Sequence, residues 1–390
     1  MKFAHLSDCH IGGWHEYNLR DANLRSFKKA IEICIEEHVG FVIIAGDLFD
    51  NALPSIDILK ETAKILRNLK DFDIPVYVIP GSHDFSASGK TMLDVLEHAG
   101  LIHNVMRFNE NKLDFTIDRT GIKITGFYGK KGGLEASEYE LLEKAHLEAE
   151  EGFKIFIFHS LIDELKPKHF ELVKGMSINS LPKNFNYYAG GHPHFIFNLE
   201  YENYGLLSYP GPIFPNNFQE LEDLRYGGFY IAEVNNKINL KHVKLNIIPT
   251  ISYKINAENK TPKEVETEIL NTIKDFDNKI ITLRLEGCLK EGRTTDINFK
   301  YIAERLESSF CFLKNTNKLT TKDFAEIQTD CRDSAEIEES IIKEHIKQSE
   351  FNEDFIKNLI NILDKEKGEG EKNSDFELRI LKDCKSLINI

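Results

Sequence analysis

Five short clusters of carboxylates and histidines punctuate the first half of this chain: Asp8 with His10, Asp47, His83 with Asp84, His159, and His192 with His194. Carboxylate oxygens and imidazole nitrogens together suit a transition-metal ion. A histidine beside a carboxylate can also serve as a general acid with its charge partner. Asp8 and His10 lie two apart, so extended backbone puts both side chains on one face. His192 and His194 repeat that spacing after Gly190-Gly191, where glycine lets backbone approach closely and Pro193 stiffens the loop. Each cluster alone has a bland alternative, such as a turn aspartate beside an incidental histidine, or a capping Asp84.

The elements in front of the clusters make coincidence hard to maintain. Lys2–Leu6, Phe41–Ala45, Pro75–Ile79, Lys154–Phe158 and Tyr187–Ala189 are apolar runs of the kind that form buried strands. Each leads directly into one of the clusters. Asn23–Glu37 and Ser55–Leu69 read as amphipathic helices between the first three strands. The order strand, helix, strand, helix, strand predicts a parallel sheet with helices on its faces. Right-handed crossovers bring the ends of such strands to one edge, where α/β sheets bind ligands. Further along, Glu135–Glu151 reads as one charged helix, and Phe195–Leu199, Tyr204–Tyr209, Gly228–Val234 and Ile238–Leu245 read as strands.

Composition narrows the class. At 390 residues with 41% hydrophobic content and 27 Phe, the chain can bury a large core. No apolar run approaches the roughly 20 residues of a membrane span, and charge comes too early for a signal peptide, so a soluble, cytoplasmic protein is expected. Six scattered Cys without a Cys-x-x-Cys pair predict neither a zinc ribbon nor a disulfide framework. A net charge of −14 argues against gripping nucleic acid by global charge, although residues 251–330 are nearly balanced. The loop Phe127–Gly133 carries Lys130 and Lys131 among glycines and aromatics and is a candidate phosphate-tracking segment. His15 and Arg225 are weaker candidates for contact with substrate.

Taken in order, Asp-x-His, Gly-Asp, Gly-Ser-His-Asp, His and Gly-His-x-His resemble the signature of the calcineurin-like metallophosphoesterases across about residues 1–250. The resemblance implies two mixed β-sheets sandwiched together and flanked by helices, with two divalent metal ions. It places one ion on Asp8, His10 and His194, the other on His159 and His192, and Asp47 between them. Ser82 stands where the family carries a ligating Asn, and a hydroxyl is the weaker ligand. His83 would be the catalytic acid, with Asp84 orienting it. Gly-Asp-Leu-Phe-Asp at 46–50 and the chain length further resemble the DNA double-strand-break nucleases of the Mre/SbcD family. That resemblance implies manganese, exonuclease and endonuclease action on double-stranded ends and single strands, a homodimer, a nucleoid association, and an SMC-like ABC ATPase partner of the Rad-fifty/SbcC type. Its domain plan would be a nuclease core (1–250), a small α/β capping domain (251–330) read as β-α-β-α, and a helical linker with a helix-loop-helix (331–390) for the ATPase. Helices are expected at Ser334–Gln348, Asn352–Lys365 and Asp375–Leu387. The competing readings are a phosphodiesterase or phosphatase for a small molecule, and a non-catalytic scaffold in which Ser82 marks a weakened second metal site.

Overall fold

A computed structural model describes residues 1–321 except 86–90, 111, 131–133, 168–172 and 174, together with 355, 358–359, 362–363 and 373–388. By compactness the chain divides into two units. One comprises 1–254, 270–284 and 300–315, and the other 255–269, 285–299 and 316–390.

The first unit is built on two six-stranded sheets. In the first sheet, β1 (Lys2–Leu6), β2 (Val42–Ala45), β3 (Val76–Ile79) and β4 (His103–Asn104) run parallel. Two antiparallel strands, β13 (Gly227–Val234) and β14 (Ile238–Leu245), extend it beyond β1. The second sheet has the order β11-β12-β10-β9-β8-β7. Its members are β7 (Thr116–Ile117), β8 (Lys123–Phe127), β9 (Lys154–His159), β10 (Tyr187–Gly191), β11 (Phe197–Glu200) and β12 (Leu206–Tyr209). A small hairpin pairs β5 (Phe108–Asn109) with β6 (Lys112–Leu113).

Period-two alternation sorts the side chains into layers. Phe3, Ile43, Tyr77 and Ile79 face Ile124, Ile155, Ile157 and Tyr187 to form the core between the sheets. Ala4, Leu6, Val42, Ile44, Val76 and Val78 point the other way, onto helices α1 (Tyr17–Glu36), α2 (Ile56–Asp71) and α3 (Met92–His98). Outside the second sheet, Phe156, Phe158, Tyr188 and Tyr209 pack on Tyr139, Leu147 and Leu181. Both faces of the central strands are therefore covered, which is why their sequences are continuous apolar runs. The result is the expected sandwich of two mixed sheets with helices on its outer faces.

Several elements differ from the sequence reading. Helix α1 starts at Tyr17, not Asn23, because Leu19 and Ala22 are buried with Trp14, Phe214 and Leu221. Ser55 caps α2, its hydroxyl accepting from the Ile58 N–H. The expected helix Glu135–Glu151 is instead two short ones, α4 (Ala136–Leu141) and α5 (Ala145–Ala149). Leu142 between them is extended, with φ −65° and ψ 127°. A further short helix, α6 (Phe218–Asp223), precedes β13.

After β14 the chain forms β15 (Thr250–Asn256), α7 (Pro262–Thr272), β16 (Ile280–Leu289), α8 (Phe299–Arg305) and β17 (Cys311–Thr321). The three strands make one sheet in the order β15-β16-β17, so the third strand was missed. Its second half, Asn315–Thr321, is mostly polar and gives no buried-strand signal. In the C-terminal stretch, Asn373–Ile388 is helical, matching the expected Asp375–Leu387 helix. The expected Ser334–Gln348 helix, and most of Asn352–Lys365, lie outside the described residues. Among the described residues, no helix is long and apolar enough to cross a membrane.

Candidate metal centre

The carboxyl ends of five strands meet at one edge of the sandwich. Strand β1 leads to Asp8 and His10, β2 to Asp47, β3 to Ser82, His83 and Asp84, β9 to His159, and β10 to His192 and His194. The backbone turns sharply at the tips of β1, β2 and β10. Asp8, His10, Asp47 and His192 have φ of 50°, 41°, 52° and 91°, a left-handed conformation that costs a non-glycine residue about 1–3 kcal/mol. The tips are bolted together: the Asp8 N–H donates to the Gly46 carbonyl at 3.2 Å and the His10 N–H to the Asp47 carbonyl at 2.9 Å. Gly46 itself has φ 85°, and a Cβ there would lie 2.3 Å from Nδ1 of His159. Only glycine lets this backbone pass under the imidazole.

Two histidines are held by one ring nitrogen and presented by the other, and a third turns its Nδ1 toward a carboxylate without a hydrogen bond. Nδ1 of His159 is 2.8 Å from the Ala45 carbonyl; a carbonyl only accepts, so Nδ1 carries the hydrogen. Nε2 is then left facing Asp47 Oδ2 at 3.1 Å. Nδ1 of His194 meets Glu220 Oε1 at 2.8 Å, leaving Nε2 3.2 Å from Nε2 of His10. Nδ1 of His10 lies 3.4 Å from Asp50 Oδ1. Anchoring one ring nitrogen on an acceptor while the other turns inward is the usual orientation of metal-ligating histidines. His192 is held differently: its backbone N–H donates to the Asp8 carboxylate at 3.0 Å, and its ring lies 5.2 Å from that of His159.

The carboxylates sit between the rings. Asp47 Oδ1 accepts from the His83 N–H at 2.7 Å, and Oδ2 accepts from the Ser82 hydroxyl at 3.2 Å. Oδ2 is also 3.7 Å from Nε2 of His10, so one oxygen looks toward both halves of the cluster. Asp8 and Asp47 are essentially fully buried. Burial would raise both carboxyls, yet the imidazoles outweigh it. The His194 contact holds Asp8 down at about 2, and the charge and hydrogen bond of His159 hold Asp47 lower still. Conversely, burial opposes a charge on His159, but Asp47 lifts its pKa to about 9. His194 is raised against burial by Asp8 and Glu220. Burial and the neighbouring His159 push His192 down to about 4, leaving it neutral.

Such a field favours cations, and a metal ion would satisfy it in place of these protons. Among the described residues the donors form three overlapping groups, one of them His10, Asp50 and His83. Asp8, His10 and His194 offer ligand atoms all within 4.8 Å of one another, and so do Asp8, Asp47 and His159. Mixed nitrogen and oxygen donors suit manganese, iron or zinc better than calcium.

The structure also locates the remaining candidates. Ser82 is brought to the cluster, where its hydroxyl donates to Asp47. His83 is there too, but its expected partnership with Asp84 is corrected. The Asp84 carboxylate is completely buried and accepts from the backbone N–H groups of Leu48, Phe49 and Gly81. Burial, reinforced by the charge of Asp47, raises it to about 6. The imidazole of His83 instead sets Nδ1 against the Asp50 carbonyl at 2.7 Å. His15 and Arg225 are exposed and are not brought into the ligand cluster. Lys130 is salt-bridged to Glu138 at 2.5 Å, and Lys131 lies outside the described residues.

Sequence reasoning missed Asp50 and Glu220. Glu220 had a signal of the wrong kind: Asn217-x-x-Glu220 reads as a helix capping box. Asn217 does cap α6 by accepting from the Glu220 N–H. The same glutamate accepts from the Asn216 N–H at 2.7 Å and reaches His194. Beside this edge lies a cleft of about 850 Å³ lined by His192, His194, Phe195, Asn217 and Glu220, among others.

These features define a phosphoester-hydrolysing metalloenzyme. Residues 1–195 match the calcineurin-like phosphoesterase family, and the chain belongs to it; it is a metal-dependent phosphodiester hydrolase. Similarity also extends beyond that domain. The chain is 26% identical to the DNA double-strand break repair protein Mre11 of Methanococcus maripaludis, over 93% of this chain and 95% of that protein. It is 27% identical to the protein of that name from Archaeoglobus fulgidus, over 95% of this chain and 82% of the relative. For the Sulfolobus acidocaldarius protein the figures are 24%, 94% and 95%.

Proposed function

We propose that the chain is a dinuclear-metal DNA nuclease of double-strand-break repair, hydrolysing phosphodiester bonds at the edge described above. The observation that carries this reading is similarity to archaeal Mre11 proteins along 93–95% of the chain, beyond the residues common to phosphoesterases at large.

One ion would be held by Asp8, His10 and His194, and the other by His159 and His192, with Asp47 bridging and manganese as the native metal. Bound there, the ions supply charge neutralisation for the diester and an acidified water for in-line attack. The protein's own groups do the rest. Asp47 fixes the spacing of the two halves. Glu220 and the Ala45 carbonyl orient His194 and His159. His83 has its Nδ1 committed to Asp50, so Nε2 is its atom for a proton, to be given to a phosphoryl or leaving oxygen. Loss of such a group costs about a hundredfold to ten-thousandfold in rate. The acidic balance of the chain is compatible with DNA because bound cations invert the local field.

In this reading residues 1–250 form the nuclease core, 251–330 a capping domain that contacts DNA, and 331–390 the docking segment for an SMC-like ABC ATPase. The chain would act as a homodimer on the nucleoid. The test is manganese-dependent cleavage of linear double-stranded DNA beside a small chromogenic diester, with His83→Ala as control. Cleavage of DNA that the variant loses by at least about a hundredfold supports the nuclease. Hydrolysis of the small diester alone, with DNA untouched even when the ATPase is supplied, overturns it in favour of a small-molecule phosphodiesterase.

A further inference from the structure

Two residues beyond His83, the chain presents Phe85 with 39% of its surface exposed. Its ring stacks on Tyr128, with centroids 5.5 Å apart and planes within 6°. Both halves of the stack are tied to the metal centre. The Phe85 N–H donates to the Gly81 carbonyl at 3.1 Å, in the turn whose His83 N–H bonds Asp47. Gly129, next to Tyr128, donates to the Pro80 carbonyl at 3.1 Å. It also lies so close to His159 that a Cβ would come within 2.5 Å of the imidazole Cδ2.

The stack is braced from the side. The Lys130 ammonium is 5.3 Å from the Phe85 centroid and 5.1 Å from that of Tyr128. Parallel stacked planes lie about 3.5 Å apart, so a cation capping the outer face of Phe85 would be about 7 Å from Tyr128. Lys130 therefore flanks the pair and does not cap it. Its charge is matched by Glu138, which also accepts from the Tyr128 hydroxyl. A lysine so neutralised makes a poor phosphate clamp. The element is an aromatic surface whose flanking charges cancel, two residues from His83.

Resting on the nuclease reading above, we propose that Phe85, backed by Tyr128, is a stacking platform for one unpaired base next to the scissile phosphate. The ligand class is single-stranded DNA or a melted end. Every base has a π-face, so the platform contributes affinity without sequence preference.

The test uses the full chain, Phe85→Leu and Phe85→Trp. Manganese-dependent cleavage of a single-stranded oligonucleotide is measured beside quenching of 2-aminopurine in the same strand, with manganese retained and turnover blocked by adding His83→Ala to each protein. Phe85→Leu is expected to raise KM by about fivefold to 150-fold, the range that corresponds to base–aromatic stacking. It should abolish the quenching and leave the salt dependence of binding unchanged, because no charge is removed. Phe85→Trp should restore both affinity and quenching. If the wild type cleaves and Phe85→Leu matches it in KM and quenching, the platform is refuted while the nuclease stands. A defect that Phe85→Trp fails to restore also refutes stacking. If the wild type cleaves neither duplex nor single-stranded DNA, the nuclease reading and the platform fall together.

Discussion

Nε2 of His10 and Nε2 of His194 face each other at 3.2 Å across 184 positions of chain. Each ring has its Nδ1 turned toward a carboxylate, Asp50 for His10 and Glu220 for His194. Neutral rings so anchored would present two lone pairs to one space. A cation between them would resolve the conflict, and buried Asp8 would complete the donor set.

Metal should therefore stabilise the fold measurably. Saturating manganese at about 100 times its Kd adds about 2.7 kcal/mol to the native state. Differential scanning calorimetry should show the transition of the first unit rising with manganese and returning when EDTA is added. A melting temperature indifferent to both would mean that these side chains hold no ion.

Glu220 gives a second expectation. Its carboxylate fixes the tautomer and rotation of His194, and loss of such a partner typically costs 10- to 100-fold in metal affinity. Glu220→Ala should weaken manganese binding by about that factor in isothermal titration. Glu220→Gln keeps a carbonyl acceptor for Nδ1 and should recover part of the loss. Equal effects of the two variants would point to the helix cap as the source.

Asp84 separates two roles cleanly. Its oxygens accept from three buried backbone N–H groups. Stranding one buried donor costs about 1–3 kcal/mol, so Asp84→Ala should lower unfolding free energy by about 3 kcal/mol or more in urea titration. If Asp84 instead served chiefly to orient His83, the variant would keep its stability and lose only rate.

Ser82 donates to the oxygen of Asp47 that also faces His159. An amide oxygen is a stronger ligand than a hydroxyl. Ser82→Asn is expected to keep or raise activity at limiting manganese, read from the half-saturating metal concentration. A collapse would show that the Ser82 hydrogen bond holds Asp47 in place.

What the sequence revealed follows from period and position. Buried strands read as continuous apolar runs, so β1, β2, β3 and β9 were visible, and the polar residues at each strand tip were visible with them. Helix boundaries were harder. The first turn of α1 packs Leu19 and Ala22 on Trp14 and Phe214, contacts that adjacent sequence cannot announce. Supporting groups were harder still. Asp84 follows His83 in the chain and was paired with it on that ground, whereas the turn points its carboxylate back at Leu48 and Phe49. Asp50 acts on His83 through a backbone carbonyl, an atom every residue has and no motif can flag. Glu220 belongs to a helix remote from the histidine signature, and nothing in that signature points to it.

The candidate ligands come from the tips of two different sheets: Asp8 and Asp47 from the first, His159 from the second. The sheets otherwise meet through apolar contacts such as Phe3 on Tyr187 and Ile43 among Ile155 and Ile157, and through buried hydrogen bonds such as that between Nδ1 of His5 and the Tyr187 hydroxyl at 2.9 Å. An ion gripped from both sides would act mechanically as a rivet at one end of the sandwich. It would pin the sheets where the chemistry happens, as the buried bond from the Tyr77 hydroxyl to Asp118 pins them away from that edge. Cofactor loading and rigidity of the catalytic edge then become a single event.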